Sequence, residues 1–160
     1  MRQPLQELIA RYQQNLYAAA FSVCKNAEDA EDAVQDTFIQ YHISQKEFES
    51  EQHIRAWLLR VVINKAKNAN LTFWRNHKVP WEDYMEQIPF ETEQSHDLFE
   101  TVMKLPEKYR IVIHLFYYEG YSIAEIADIL KLSQSNVKVR LSRGRTMLKN
   151  QLQEEWDDDK

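Results

Sequence analysis

Cysteine, glycine and proline are scarce in this chain of 160 residues, which holds one cysteine, two glycines and four prolines. The single Cys24 cannot close a disulfide within the chain or complete a zinc site built from several cysteines. This usage fits a reducing compartment, and we expect a cytoplasmic protein. Because Leu, Ala, Glu, Gln, Lys and Arg are frequent while turn-forming residues are few, the composition favours helices over strands.

Long apolar runs are also missing. No stretch approaches the roughly 20 apolar residues that cross a bilayer. The first residues, MRQPLQELIARYQQN, lack the apolar core of a signal peptide. We therefore expect a soluble protein without membrane insertion.

An excess of positive charge is absent overall, since the net charge is −5. That value argues against a nucleic-acid partner, because phosphate binding depends on Lys and Arg. The local distribution argues the opposite: residues 54–79 and residues 131–149 each hold six basic and no acidic side chains. Residues 80–107, between them, hold one basic and eight acidic side chains. This pattern predicts two separate nucleic-acid footprints on an otherwise acidic surface.

The spacing of apolar residues predicts two groups of helices. Helices from Leu5 to about Lys25, Glu28 to Tyr41 and about Gln52 to Trp74 form a three-helix domain over 1–75. An acidic, extended linker over 76–96 contains two prolines. Four helices follow in a domain over 97–153, with an acidic tail at 154–160; they span 97–105, 107–119, 123–131 and 134 to about 152. The predicted fold class is all-α, with two small helical domains.

The segment YSIAEIADILKLSQSNVKVRLSRGR, residues 121–145, has the pattern of a helix-turn-helix. Ser122 and Glu125 form a capping box at the start of its first helix. In its second helix Val137 and Leu141 face inward, which leaves polar side chains outward: Gln134, Ser135, Asn136, Lys138, Arg140, Ser142 and Arg143. Such groups suit base edges and phosphates in a major groove. The alternative is an ordinary helical hairpin with a solvated basic face.

The segment NAEDAEDAVQDTFIQYH, residues 26–42, places Asp29, Asp32 and Asp36 in one sector of a helix. Three interpretations are open: a divalent-metal site, a solvated acidic face, and docking onto a basic protein surface. No nearby histidine or glycine-shaped loop completes a metal site, so docking is favoured.

The third helix carries an aromatic ring, two cations and two amides on the face opposite its apolar stripe; these are Trp57, Arg60, Asn64, Lys67 and Asn68. Rings stack on unpaired bases, amides read base edges and cations hold the backbone, so this face suits melting DNA. We expect Phe48, in the preceding loop, to form one wall of a base-binding pocket on this face. The alternative is that Phe48 and Trp57 are core residues.

Together these segments resemble the extracytoplasmic-function sigma factors of the sigma-70 family. NAEDAEDAVQDTFIQYH looks like the polymerase-binding helix of region two, and HIRAWLLRVVINKAKN looks like the segment that melts and reads the minus-ten element. LPEKYRIVIHLFYYEGYSIAEIADILKLSQSNVKVRLSRGRTML is similar to region four, which reads the minus-thirty-five element. The loop FESEQH, Ser135 in place of a frequent glycine and Val139 in place of a frequent polar residue depart from the family pattern.

The resemblance implies a non-enzymatic transcription initiation factor without a cofactor or metal. Its partners would be bacterial core RNA polymerase, promoter DNA and an anti-sigma factor that releases it under stress. The polymerase clamp helices would contact Asp29, Asp32, Gln35 and Asp36, and Phe38 would help to hold the helix that carries these residues in position. The minus-ten element would meet Phe48, Trp57, Arg60, Asn64, Lys67 and Asn68. The minus-thirty-five element would meet Gln134, Ser135, Asn136, Lys138, Arg140 and Arg143, with Arg145 near its phosphates.

Two other functions remain open on the residues alone. One is an autonomous, dimeric helix-turn-helix regulator, which would need a symmetric DNA site. The other, more remote, is a helical metal-dependent hydrolase that uses Asp29, Asp32 and Asp36.

Overall fold

A computed structural model describes residues 2–72 and 93–158, with side chains described over 2–69 and 98–153. The chain divides into two compact units, Met1–Met85 and Glu86–Lys160. The predicted extended linker lies almost wholly outside the described residues, as do Phe73, Trp74 and the cations Arg75 and Lys78. The domain limits 1–75 and 97–153 therefore remain predictions.

Over its described residues, the first unit is a bundle of three helices, α1 (Leu5–Cys24), α2 (Ala27–Ile43) and α3 (Glu51–Thr72). Each helix packs on the other two. Apolar side chains of all three helices face inward, and many of them are wholly buried: Leu8, Ala19, Ala20, Phe21, Ala30, Ile54, Leu58, Leu59, Val62 and Ala66. The predicted all-helical fold is confirmed over the described residues of this unit.

Local signals set the junction between α1 and α2. Lys25 ends α1 in the left-handed conformation, with φ of 52°. Asn26 then caps α2, because its Oδ1 accepts a hydrogen bond of 2.9 Å from the backbone N–H of Asp29. The chain thus reverses direction with two residues between the helices.

The second unit contains α4 (Glu93–Met103), α5 (Glu107–Ile113), a π-helical segment (His114–Tyr118), α6 (Ile123–Leu130) and α7 (Gln134–Asp158). Helix α4 begins at Glu93, before the predicted Asp97. Helix α7 continues through most of the predicted acidic tail, because its last residues include no glycine or proline.

The predicted helix over 107–119 is wrong in one respect, since its second half widens into the π-helical segment. The N–H of Glu119 bonds to the His114 carbonyl at 3.2 Å. The wider turn buries the side chains of both residues, which are 2% and 7% exposed for His114 and Glu119. Their Nε2 and Oε1 atoms lie 3.5 Å apart, so each of these polar groups is buried beside the other.

Helices α6 and α7 form the predicted helix-turn-helix. The capping box is present, with bonds of 3.0 Å from Ser122 N–H to Glu125 Oε1 and 3.2 Å from Glu125 N–H to Ser122 Oγ. Ser133 caps α7 by accepting a 3.1 Å bond from the N–H of Asn136. Gly144 allows α7 to cross α5 closely, because a Cβ atom there would lie 3.0 Å from Ile113 Cγ1.

Candidate functional site

The acidic surface of α2 consists of Asp29, Asp32, Gln35 and Asp36. The last three side chains are exposed and Asp29 is half-buried. Partial burial, and then the neighbouring carboxylates of Asp32 and Glu28, raise the pKa of Asp29 above its usual value. Because these like charges lie together on one side of α2, the surface favours a positively charged partner.

The opposite side of α2 holds this surface in place. Phe38 is 6% exposed and Val34 is 4% exposed, so both belong to the core of the first unit. Thr37 is also buried, and its hydroxyl donates a 2.7 Å bond to the carbonyl of Ala33 within the helix. Phe38 therefore sets the orientation of α2 from within the core.

Two apolar side chains that the sequence reasoning missed extend the acidic surface. Ile39 is 54% exposed and Ile43 is 72% exposed, and they follow Asp36 at helical spacing. The signal was present in the sequence: α2 carries apolar residues on both its inner face and this continuation of its acidic face. Exposed apolar side chains next to charge are typical of a binding surface.

The α3 surface consists of Trp57, Arg60, Asn64, Lys67 and Asn68. The side chains of Asn64 and Asn68 are exposed, one helical turn apart, while the other three are half-buried. Both amides can therefore donate and accept hydrogen bonds outside the unit. The structure brings these five residues together on one side of α3.

Phe48 does not share the exposure of that surface. Its side chain is only 3% exposed, so it is a core residue rather than an open pocket wall. Its ring stacks on Tyr41 with centroids 5.9 Å apart and meets Trp57 edge-on at 5.6 Å. The prediction that Phe48 lines a pocket does not fit this burial, because the ring is enclosed by other aromatic rings. Sequence alone could not decide this, since an aromatic residue in a loop fits either role.

The loop before α3 is folded tightly around this aromatic cluster. His53 packs edge-on against Phe48 at 5.1 Å, and its Nδ1 accepts a 3.0 Å bond from the N–H of Glu49. Glu51, in the first turn of α3, accepts a 3.0 Å bond from the hydroxyl of Tyr12 and pairs with Arg11. The start of α3 is therefore fixed to α1.

The α7 surface consists of Gln134, Ser135, Asn136, Lys138, Arg140 and Arg143. Asn136 and Arg140 are half-buried, and the other four are exposed. Arg140 Nε donates a 3.0 Å bond to Asn136 Oδ1, which fixes the two side chains relative to each other. The inward Val137 and Leu141 are 0% and 1% exposed, so the surface rests on a packed core.

Arg145 lies beyond the α7 surface and contacts the π-helical segment. Its Nε donates a 2.6 Å bond to the hydroxyl of Tyr117. Its guanidinium also lies 5.3 Å from the ring centre of Phe116. The structure thus gives Arg145 a partner that sequence reasoning did not foresee.

Over the described ranges, no group of three or more His, Cys, Asp or Glu side chains is placed to hold a metal ion. Within the same ranges no helix is long and apolar enough to cross a membrane.

Each of the two units matches a known protein family. The family description "Sigma-70 region 2" matches residues 8–78, and "Sigma-70, region 4" matches residues 95–148. The ECF RNA polymerase sigma-E factor of Haemophilus influenzae is 30% identical over 165 residues, which cover 91% of this chain and 86% of that protein. The ECF RNA polymerase sigma factor SigW of Bacillus subtilis is 26% identical, over 92% of this chain and 88% of that protein.

Solved structures agree with these matches. CnrH, in complex with the cytosolic domain of CnrY, is similar with a TM-score of 0.67 and 29% identity, over 93% of this chain and 87% of that chain. The sigma factor RpoE of Bartonella quintana, in complex with the anti-sigma factor NepR, shares the fold with a TM-score of 0.69 and 24% identity, over 92% of this chain and 95% of that chain. The chain therefore belongs to the sigma-70 family and is an RNA polymerase sigma factor of the extracytoplasmic-function type.

Proposed function

We propose that this sigma factor binds core RNA polymerase through the acidic surface of α2, contacts promoter DNA through the α3 and α7 surfaces, and catalyses no reaction itself. One observation carries the proposal: the two segments without acidic residues, 54–79 and 131–149, fall in two different compact units. Each presents exposed amides or cations on a helix whose other side is core. One chain can then hold two stretches of one promoter.

Docking on polymerase would combine charge with apolar contact. Exposed Asp32, Gln35 and Asp36 offer carboxylates and an amide to a basic surface, and Ile39 and Ile43 offer apolar area beside them. Interfaces of this kind have an apolar centre and a charged rim that steers encounter. Asp29, one helical turn before Asp32, would contact the same partner.

At the minus-ten element, the α3 surface would trap bases as the duplex opens. Flipping a base out of the stack costs a few kcal/mol. Stacking on an aromatic ring returns about 1–3 kcal/mol per base. Trp57 is half-buried and held edge-on by Phe48, while Asn64 and Asn68 are exposed to meet base edges. Arg60 and Lys67 would contact the phosphates of the DNA backbone. In this proposal Phe48 acts from the core, by fixing Trp57.

At the minus-thirty-five element, α7 would lie in the major groove. Its first turns hold Gln134, Ser135 and Asn136, where recognition helices place their base contacts. Lys138, Arg140 and Arg143 would add cationic contacts to bases and phosphates. The Arg145 guanidinium has several N–H donors and uses one of them to bond to Tyr117. Its other N–H groups can therefore bond to a phosphate.

We also propose that a protein regulator covers some of these surfaces when the chain is inactive, and that the chain acts in the cytoplasm. Two similar proteins, CnrH and RpoE, were solved bound to CnrY and to the anti-sigma factor NepR. Family membership and the exposed apolar side chains on α2 support this part of the proposal.

The test is run-off transcription with core polymerase, the purified chain and templates that carry its own upstream region. Transcripts should depend on the chain, and Asn68→Ala should reduce them, whereas Gln14→Ala, at an exposed position on α1, should not. Without polymerase, gel-shift assays at physiological salt should show only weak promoter binding, because the net charge is −5. Tight binding by the chain alone, as a stable dimer on a palindrome, would overturn the proposal in favour of an autonomous regulator.

A further inference from the structure

Val139 interrupts the polar side of α7. It is 45% exposed, and its exposed neighbours one helical turn away are the polar residues Ser135, Ser142 and Arg143. Over residues 134–145, all of which are described, Val139 is the one exposed side chain without a polar group. An isopropyl group therefore sits in the centre of the α7 surface.

The fold gives no reason for valine at this position. On either side of it, Val137 and Leu141, 0% and 1% exposed, turn their side chains into the core. A β-branched side chain also lowers helix propensity slightly, because its χ1 freedom is restricted in a helix. At a position that leaves valine 45% exposed and gains no helix stability from it, the side chain is available for a partner.

The chemistry of the major groove narrows what that partner is. Base edges there present hydrogen-bond donors and acceptors, and the apolar group among them is the 5-methyl of thymine. Covering a donor or acceptor with an isopropyl group removes its water without replacing the hydrogen bond, which costs free energy. Covering a methyl group carries no such cost and removes apolar surface from water.

We infer that Val139 contacts the 5-methyl group of a thymine in the upstream promoter element, and so contributes a thymine preference at one position. The inference rests on the proposed function, in which α7 lies in the major groove. It adds to that function a residue that discriminates by an apolar contact, while the polar side chains around it discriminate by hydrogen bonds.

The experiment uses holoenzyme assembled from core polymerase and the full chain. The holoenzyme first selects promoters from duplexes randomised over both elements. Each thymine of the selected upstream element is then replaced in turn by deoxyuridine, which pairs in the same way but lacks the 5-methyl group. At one thymine the replacement should weaken binding about fourfold, the factor that corresponds to burying one methyl group.

The variant Val139→Ser should bind the thymine and deoxyuridine duplexes equally well. Its matched control is Leu152→Ser, which removes an apolar side chain that is 40% exposed. That position is about 20 Å further along α7. This control should keep the fourfold preference of the unchanged chain. Both variants replace exposed side chains, so neither disturbs the core.

Three results would overturn the inference. If the holoenzyme selects an upstream element but no deoxyuridine replacement affects binding, the thymine contact is wrong while the proposed function stands. The same holds if Val139→Ser retains the methyl preference. If the chain does not associate with core polymerase, or the holoenzyme selects no upstream element, the proposed function fails and the inference fails with it.

Discussion

Arg145 and Tyr117 join helix α7 to the π-helical segment, with a hydrogen bond of 2.6 Å from Arg145 Nε to the tyrosine hydroxyl. The guanidinium also lies 5.6 Å from the centre of the same ring. A side chain predicted to lie near phosphates is thus held by its own unit before DNA is present. Preorganisation of this kind lowers the side-chain entropy lost on binding.

We predict that this hydrogen bond is measurable by a double-mutant cycle. Tyr117→Phe removes the acceptor, and Arg145→Lys removes the planar donor group while keeping the charge. Because both groups are exposed, the coupling free energy should be small, about 0.5–1 kcal/mol. Urea unfolding, followed by NMR signals of the second unit, would measure it.

The control cycle pairs Arg145→Lys with Tyr118→Phe, which removes the hydroxyl of the next ring. Its coupling should be close to zero. Equal coupling free energies in the two cycles would show that the hydrogen bond to Tyr117 does not account for the coupling.

The helices of both units could be predicted from sequence, because apolar residues at helical spacing mark an inner face. The Ser122 and Glu125 pair also predicted the start of α6 correctly. Such signals are local, and they report which side of a helix is buried.

Two features could not be predicted in this way. The π-helical segment depends on where His114 and Glu119 lie once both are buried, and no spacing rule distinguishes it from an α-helix. The burial of Phe48 depends on Tyr41 and Trp57, which reach it from two different helices. Both features result from tertiary contacts between residues that the local pattern treats separately.

The acidic surface should be necessary for polymerase binding. Asp36→Asn removes one exposed carboxylate without changing side-chain size, and Ile39→Ser removes the adjacent apolar side chain. Each should raise the Kd for core polymerase, by up to about tenfold if the contact is fully desolvated. Surface-based or fluorescence titration of core polymerase would measure this.

The matched control is Glu49→Gln, since Glu49 is also exposed but lies in the loop before α3. It should leave the Kd unchanged. If Glu49→Gln weakens binding as much as Asp36→Asn, only the overall negative charge matters and the acidic surface has no specific role.

Replacing Lys25 by glycine should stabilise the first unit. Lys25 ends α1 with φ of 52°, in the left-handed region where a Cβ atom is unfavourable and glycine is not. The gain should be about 0.5–1 kcal/mol, because the greater freedom of glycine in the unfolded chain offsets part of the relief. Lys25→Ala keeps the Cβ atom and should give no gain, so stabilisation by both variants would contradict the conformational explanation.

Phe48 should matter for promoter opening through Trp57 rather than through DNA contact. Phe48→Leu keeps an apolar side chain in the core but removes the ring that meets Trp57 edge-on. An aromatic pair of this kind contributes about 0.5–1.5 kcal/mol beyond its buried area. If that free energy orients Trp57 for the unpaired minus-ten bases, the fraction of open complexes should fall up to about tenfold. Permanganate reactivity of unpaired thymines in the holoenzyme complex would measure it.

The control must separate this effect from a loss of stability. Phe21→Leu makes the same change at a phenylalanine of the same unit that is 0% exposed, on α1. Both variants should unfold more easily, by about 1–2 kcal/mol. At a temperature where both remain folded, only Phe48→Leu should reduce opening, while binding to core polymerase stays unchanged in both. Equal loss of opening in the two variants would mean that core stability, and not the position of Trp57, limits the melting step.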